Sequence, residues 1–178
     1  MAIRHIVTVP DPVLRIKTQK INSISEDVKS LARDLLDTLE VAKDPEGAGL
    51  AATQIGASKR MCVVRNFFPD PANPQQFIHE DFVLINPKIV STSKETETDY
   101  EGCLSVPDVY GQVERYKKIK VDALNINGER IKLKAQDFFA RTIQHEIDHL
   151  DGILFTDRVV GKIITEQEMD KLLTQEET

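Results

Sequence analysis

An α+β fold with antiparallel sheets is what this chain of 178 residues predicts, and three features of its patterning predict it. Short β-type runs follow one another from Met61 to Leu133. Asn127-Gly128 reads as a hairpin turn between two of them. Helical spacing of apolar residues is confined to three segments, after Ser25, after Asp137 and after Thr165. The expected architecture packs antiparallel strands around the second of these helices, with one helix toward each end of the chain.

Ser25-Glu26-Asp27 supplies a cap and an acidic first turn. Val28, Leu31, Leu35, Leu36 and Leu39 follow at spacings of three and four, so the first helix runs to about Ala42. Lys43 to Gly49 breaks it with one proline and two glycines, a composition that lets backbone approach a ligand closely, and Leu50-Ala51-Ala52 follows. Strand-type runs come next at Met61–Arg65, Phe82–Ile85, Lys88–Val90 and Ile119–Ala123, and Asn127-Gly128 turns into Ile131–Leu133. Between Asn66 and Asp81 lie three of the eight prolines and few periodic apolar residues, which predicts a long surface loop.

Asp137 is the expected cap of the second helix. Its buried stripe is Phe139 or Ala140, Ile143, Ile147 and Leu150, and Gly152 stops it. Thr165 with Glu168 forms a capping box for a third helix carrying Met169, Leu172 and Leu173, ahead of a charged tail at about 174–178 expected to fray.

The length and the 40% hydrophobic content suit one domain over residues 1–178, large enough to hold a rigid site. A formal charge of -6 and a pI near 5.3 argue against specific DNA binding or an anionic membrane surface. Met1-Ala2-Ile3-Arg4-His5 lacks the apolar core of a signal peptide, and no apolar run is long enough to span a bilayer, so a soluble cytoplasmic protein of bacterial type is expected. Two cysteines, Cys62 and Cys103, are too few for a disulfide framework. Cys62, inside Met61-Cys62-Val63-Val64, reads as a buried hydrophobe.

Chemistry enters with Gln144-His145-Glu146-Ile147-Asp148-His149-Leu150. On a helix, His145 and His149 project from one face and grip one cation, with Glu146 beside them as a general base. A catalytic site of this kind takes a third protein ligand and leaves a position for water. The three-histidine extension fails, because Phe155 stands where the third histidine belongs. Glu166 or Glu168 is a weaker option, since Glu168 already has a capping role. Cys103, in Glu101-Gly102-Cys103-Leu104-Ser105, is the better candidate: a thiolate beside a glycine is a strong ligand for Zn(II) or Fe(II). His5 and His79 are surface or edge histidines and carry no assigned function.

Three blocks, Gly47-Ala48-Gly49-Leu50-Ala51-Ala52-Thr53-Gln54, Glu101 to Ser105 and Gln144 to Leu150, occur in the order and separation that resemble the peptide deformylases. The resemblance extends to Asp11-Pro12-Val13-Leu14-Arg15 and Ile85-Asn86-Pro87. It departs from the family at Ala48, where a bulky aliphatic is usual, and in the length of the Asn66–Asp81 segment.

The resemblance implies removal of formate from the N-formyl-methionine of nascent chains, and one divalent ion held by Cys103, His145 and His149. It points to Fe(II), whereas coordination rules alone favour Zn(II), and Ni or Co would also fit. Glu146 would carry the proton from the attacking water to the leaving amine. The Leu104 backbone N–H and the Gln54 side-chain amide would meet charge on the formyl oxygen, where losing one donor typically costs about 100- to 1000-fold. Gly47 to Gly49 would pair with an extended peptide. Phe138, Thr142 and the Ile143 side of the helix would line the methionine pocket, with Leu50 and Val106 as further candidates. A buried ion pair between Arg115 and Asp148 would hold the ligand helix against the Cys103 strand.

The nascent-chain substrate makes association with the ribosome near its exit tunnel an expectation, with the third helix as the candidate surface. Two rivals share the kernel: a zinc endopeptidase with a downstream glutamate ligand, and a metal-binding or ribosome-associated module without turnover.

Overall fold

The run Met61-Cys62-Val63-Val64 is apolar at every position because the strand that carries it is covered on both faces. In the computed structural model, which describes residues 2–43 and 46–176, the helices are α1 (Glu26–Val41), α2 (Asp137–Leu150) and α3 (Glu166–Glu176). The strands are β1 (Gly49–Ala51), β2 (Met61–Asp70), β3 (Asn73–Thr92), β4 (Thr96–Cys103), β5 (Val106–Tyr116), β6 (Lys118–Leu124), β7 (Arg130–Gln136) and β8 (Val159–Thr165). One sheet has the order β1-β2-β3-β6-β7 and the other β4-β5-β8, and all their pairings are antiparallel. The fold is α+β with antiparallel sheets and three helices.

Side chains alternate across a strand, and the two cores follow that alternation. Met61 and Val63 of β2, Leu50 of β1 and Ile85 of β3 pack with Val28, Ala32, Leu35 and Leu39 of α1. Cys62, Val64, Ala51 and Leu84 turn the other way and meet Ala140, Ile143, Ile147 and Leu150 of α2. Beside that stripe, α2 bonds the smaller sheet: Gln144 Nε2 donates to the Tyr116 carbonyl at 2.9 Å and its Oε1 accepts from the Tyr116 N–H at 3.1 Å. α2 thus contacts both sheets, the larger through its apolar stripe and the smaller through Gln144.

The ends of α2 are built differently. At its C-terminus, the Ile153 N–H bonds the Asp148 carbonyl at 2.9 Å and the Gly152 N–H bonds the His149 carbonyl at 3.1 Å, a Schellman closure that needs the left-handed φ of 75° at Gly152. At its N-terminus the expected Asp137 cap is not formed. Asp137 is the first helical residue, with φ 52°, and Gln136 holds the cap position without a side-chain bond. The turn out of β7 needs a left-handed residue there, which Asp tolerates.

Ser25 caps α1, accepting from the Val28 N–H at 3.4 Å, and Thr165 with Glu168 forms the box at α3. α3 continues through Glu176, so the charged tail is helical at 174–176, and residues 177 and 178 lie outside the described residues. Asp44 and Pro45 of the break after α1 do so as well.

The predicted loop between Asn66 and Asp81 is instead a β-hairpin arm. β2 and β3 stay paired from Asn66 opposite Glu80 out to Asp70 opposite Asn73. Its three prolines had argued against strand. Pro71 lies in the turn between the two strands, and Pro69 and Pro74 lie beyond the ladders to β1, which begins at Gly49 opposite Val64, and to β6, which reaches Ile85, so their missing N–H groups break no central ladder.

Candidate active site

His145 and His149 lie one turn apart on α2, and their Nε2 atoms are 3.2 Å apart. Cys103, at the end of β4 where the chain turns into β5, places its Sγ 3.2 Å from His149 Nε2. The three ligand atoms lie within 4.8 Å of one another. Two imidazole lone pairs and a thiolate this close repel one another unless a cation or a proton lies among them. Ligands of a tetrahedral ion at about 2.1 Å stand roughly 3.4 Å apart, so the donor set fits one divalent ion. Neither Glu166 nor Glu168 belongs to this group. Phe155, at the position of the absent third histidine, is buried and stacks on the His145 ring with centroids 6.4 Å apart.

A carboxylate not singled out in the sequence orients the first histidine. Glu101 Oε2 lies 3.0 Å from His145 Nδ1, which places the ring proton on Nδ1 and leaves the Nε2 lone pair free for a cation. Glu101 itself is buried and held by Arg115, through Nε at 2.9 Å and Nη2 at 3.0 Å, and by Arg141 Nη1 at 2.9 Å. Burial alone would raise its pKa, but hydrogen bonds and charge from His145 and Arg115 prevail and hold the carboxyl far below its ordinary range. Arg141 was legible in principle, since it stands four residues before His145 and so shares its helix face. Glu101 is two residues before Cys103 on the same strand, a weaker signal because the β4–β5 register shifts between them.

Arg115 Nη1 also donates to Asp148 Oδ2 at 2.5 Å, with both side chains buried. Asp148 takes two further bonds from Arg158, at 2.5 and 2.6 Å. The pair ties α2 to β5, the neighbour of the Cys103 strand, and through Glu101 to β4 itself.

Glu146 is buried, and its Oε2 has no hydrogen-bond partner among the described residues. Burial, with repulsion from Glu101 and Asp148, pushes its pKa up to about 7 against the attraction of His145 and Arg115. A cation beside it would draw that value down. Gly49 makes room for it: a Cβ there would lie 2.6 Å from Glu146 Oε1. The Gln54 amide has a defined orientation, because its Oε1 accepts from the Ala51 N–H at 2.8 Å. Its Nε2 therefore faces the site, 3.6 Å from Cys103 Sγ and 3.2 Å from the Ser105 hydroxyl, a second residue not anticipated.

These groups open into a cleft of about 230 Å³ walled by Gly47, Gly49, Leu104, Phe138, Thr142 and Glu146 among others. Tyr100 and Tyr110 also line it, and neither was a candidate from sequence. Leu50 does not reach it. Strand alternation turns Leu50 toward α1, where it is fully buried, while the cleft lies on the α2 side. Val106 and Ile143 are core as well. Cys62 is fully buried, and burial pushes its thiol well above the ordinary value, which suits a structural side chain.

A family model described as polypeptide deformylase matches residues 3–163. The peptide deformylase of Thermomicrobium roseum is 44% identical over 164 residues, covering 89% of this chain and 87% of that protein. The peptide deformylase of Desulforudis audaxviator is 46% identical over 159 residues, covering 89% and 94%. Among solved structures, the Thermotoga maritima peptide deformylase superposes with a TM-score of 0.77 at 34% identity, covering 90% of this chain and 100% of that one. A class I type b peptide deformylase from Acinetobacter baumannii with Met-Ala-Ser bound gives the same score and identity over 89% and 99%. With the site in place and matches spanning most of its length, the chain belongs to the polypeptide deformylase family of enzymes.

Proposed function

We propose that this enzyme removes the N-formyl group from the formyl-methionine of nascent polypeptides by metal-dependent hydrolysis, releasing formate. The observation that carries the reading is the convergence of Cys103 Sγ, His145 Nε2 and His149 Nε2 beside a buried carboxylate with an unpartnered oxygen. Those three side chains would hold one divalent ion, which when bound supplies a lowered water pKa and a Lewis acid for the carbonyl. Family likeness favours Fe(II), and the same donors suit Zn, Ni or Co.

The chain's own residues do the rest. Glu146 takes a proton from the attacking water and returns it to the departing amine, a task suited to a buried carboxylate with an unpartnered oxygen beside the ligand atoms. Gln54 Nε2 and the Leu104 backbone N–H meet the charge that develops on the formyl oxygen. β1 is the edge of its sheet, so an extended peptide adds beside Gly47 to Gly49 through backbone bonds indifferent to side-chain identity. Phe138 and Thr142 provide a wall for the methionine side chain. The Arg115–Asp148 pair is a positioning device for the ligand helix. The exposed Leu172 and Leu173 of α3 are our candidate for contact with the ribosome, and a nascent-chain substrate supports a cytoplasmic location. Among the described residues, no helix is long and apolar enough to cross a membrane.

Anaerobic assay of formate release from formyl-Met-Ala-Ser with Fe(II) tests the reading, together with metal content. Cys103→Ala is expected to lose both bound metal and turnover. Retention of both in Cys103→Ala, with their loss in Glu166→Ala, would transfer the site to the endopeptidase scheme.

A further inference from the structure

The β2–β3 arm presents a face that the reaction at the ion does not use. Strand alternation puts Phe67, Pro69, Phe77 and His79 on one face, since Phe67 is opposite His79 and Pro69 opposite Phe77. Phe77 is 68% exposed, although a hairpin of this kind needs no apolar side chain there for solubility or pairing. The face is continuous with the active-site cleft: the Phe67 ring lies 6.4 Å from Phe138, which stands on the cleft wall and is itself 56% exposed, and 5.8 Å from His79. An aromatic row therefore leaves the cleft at Phe138, passes Phe67 and ends at Phe77.

Resting on the deformylase reading, we infer that this row is an outer subsite for the substrate chain, taking an apolar or aromatic side chain several residues beyond the formyl-methionine. The occupant follows from geometry. The step from Phe138 to Phe67 is 6.4 Å, and two further residues along a strand add about 7 Å. Together they span roughly four residues of extended peptide beyond the cleft, so the fifth substrate residue meets Phe77. A tripeptide ends before Phe77. Because the contact is remote from the bond being broken, it stabilises bound substrate and transition state alike, which lowers KM and leaves kcat unchanged.

The test compares formyl-Met-Ala-Ser with two formylated hexapeptides, one carrying phenylalanine and one serine at the fifth position. Wild-type enzyme is expected to show a KM about tenfold lower for the phenylalanine hexapeptide than for the serine one, with equal kcat. Phe77→Ser abolishes that difference and leaves the tripeptide unaffected. Ile78→Ser, on the opposite face of the arm, preserves the difference and so separates the face from the arm's general integrity. Equal KM for the two hexapeptides with wild-type enzyme, or a difference that survives Phe77→Ser, overturns the inference. A self-association removed by Phe77→Ser, with both hexapeptides handled alike, also overturns it by assigning the face to a second copy of the chain. No turnover of any formylated peptide overturns the deformylase reading and the inference with it, a result distinct from turnover without preference.

Discussion

Glu101 concentrates the electrostatics of the site in one side chain. Its two oxygens receive bonds from His145, Arg115 and Arg141, drawing the ligand helix and the smaller sheet together around a buried carboxylate. Glu101→Gln keeps the shape but removes the charge that orients His145. Metal affinity should fall by about 10- to 100-fold, measured by competition with a chromophoric chelator. Its pKa is depressed in the fold, so its stabilisation is present above the unfolded value near 4.3 and is lost as pH falls below it. Urea unfolding of metal-free protein from pH 7 to 3 should show a shallower acid decline in Glu101→Gln than in wild type; parallel curves would refute the linkage. The candidate ligands His145 and His149 were legible from their spacing alone. Glu101 and Ser105 were not, because what makes them functional is a neighbour on another element.

At the scale of elements, helix ends and strand faces decided most of the differences from expectation. The Gly152 stop was readable because a helix C-terminus prefers a left-handed residue, and here the site is also crowded: a Cβ would lie 2.5 Å from the Arg15 carbonyl oxygen. Gly152→Ala should therefore cost about 1–3 kcal/mol, seen as a lowered urea midpoint with an unchanged slope. The Asn66–Asp81 segment went the other way. Its prolines and weak periodicity resemble a loop, since an exposed arm has no buried face to impose alternation, and its strand pairing comes from extension of the β2–β3 ladder. Leu50 shows the same limit at one residue: which side of β1 it takes depends on where α1 and α2 lie.

Across the whole molecule, the bound ion would link elements that otherwise meet only through side chains, joining α2 to the end of β4. A ligand that binds only the native state stabilises it by about 4 kcal/mol at 1,000 times its dissociation constant. Exhaustive chelation should then lower Tm by roughly 10 °C, reversed by adding Zn(II) or, under argon, Fe(II). A Cys103→Ala protein should show no such shift; an equal shift in that variant would remove Cys103 from the ligand set.

The sequence by itself determined what depends on local periodicity. A helix over Glu26–Ala42, a second helix with His145 and His149 on one face and Glu146 beside them, and a third opened by Thr165 and Glu168 were all legible, because a 3.6-residue repeat and a cap are encoded within a few residues. The order of the three blocks also identified the family. Cys103 beside the histidines and the Arg115–Asp148 pair were already expectations from the motif and the family resemblance; only the tertiary structure gives the distances between them, the Glu101 and Arg141 bonds that make one buried network with Arg115 and Asp148, and the aromatic arm that extends from the cleft. Those contacts join residues 33 to 46 positions apart between Arg115 and Asp148 and between Cys103 and His149, and they arise from strand register and helix packing, which no local pattern specifies.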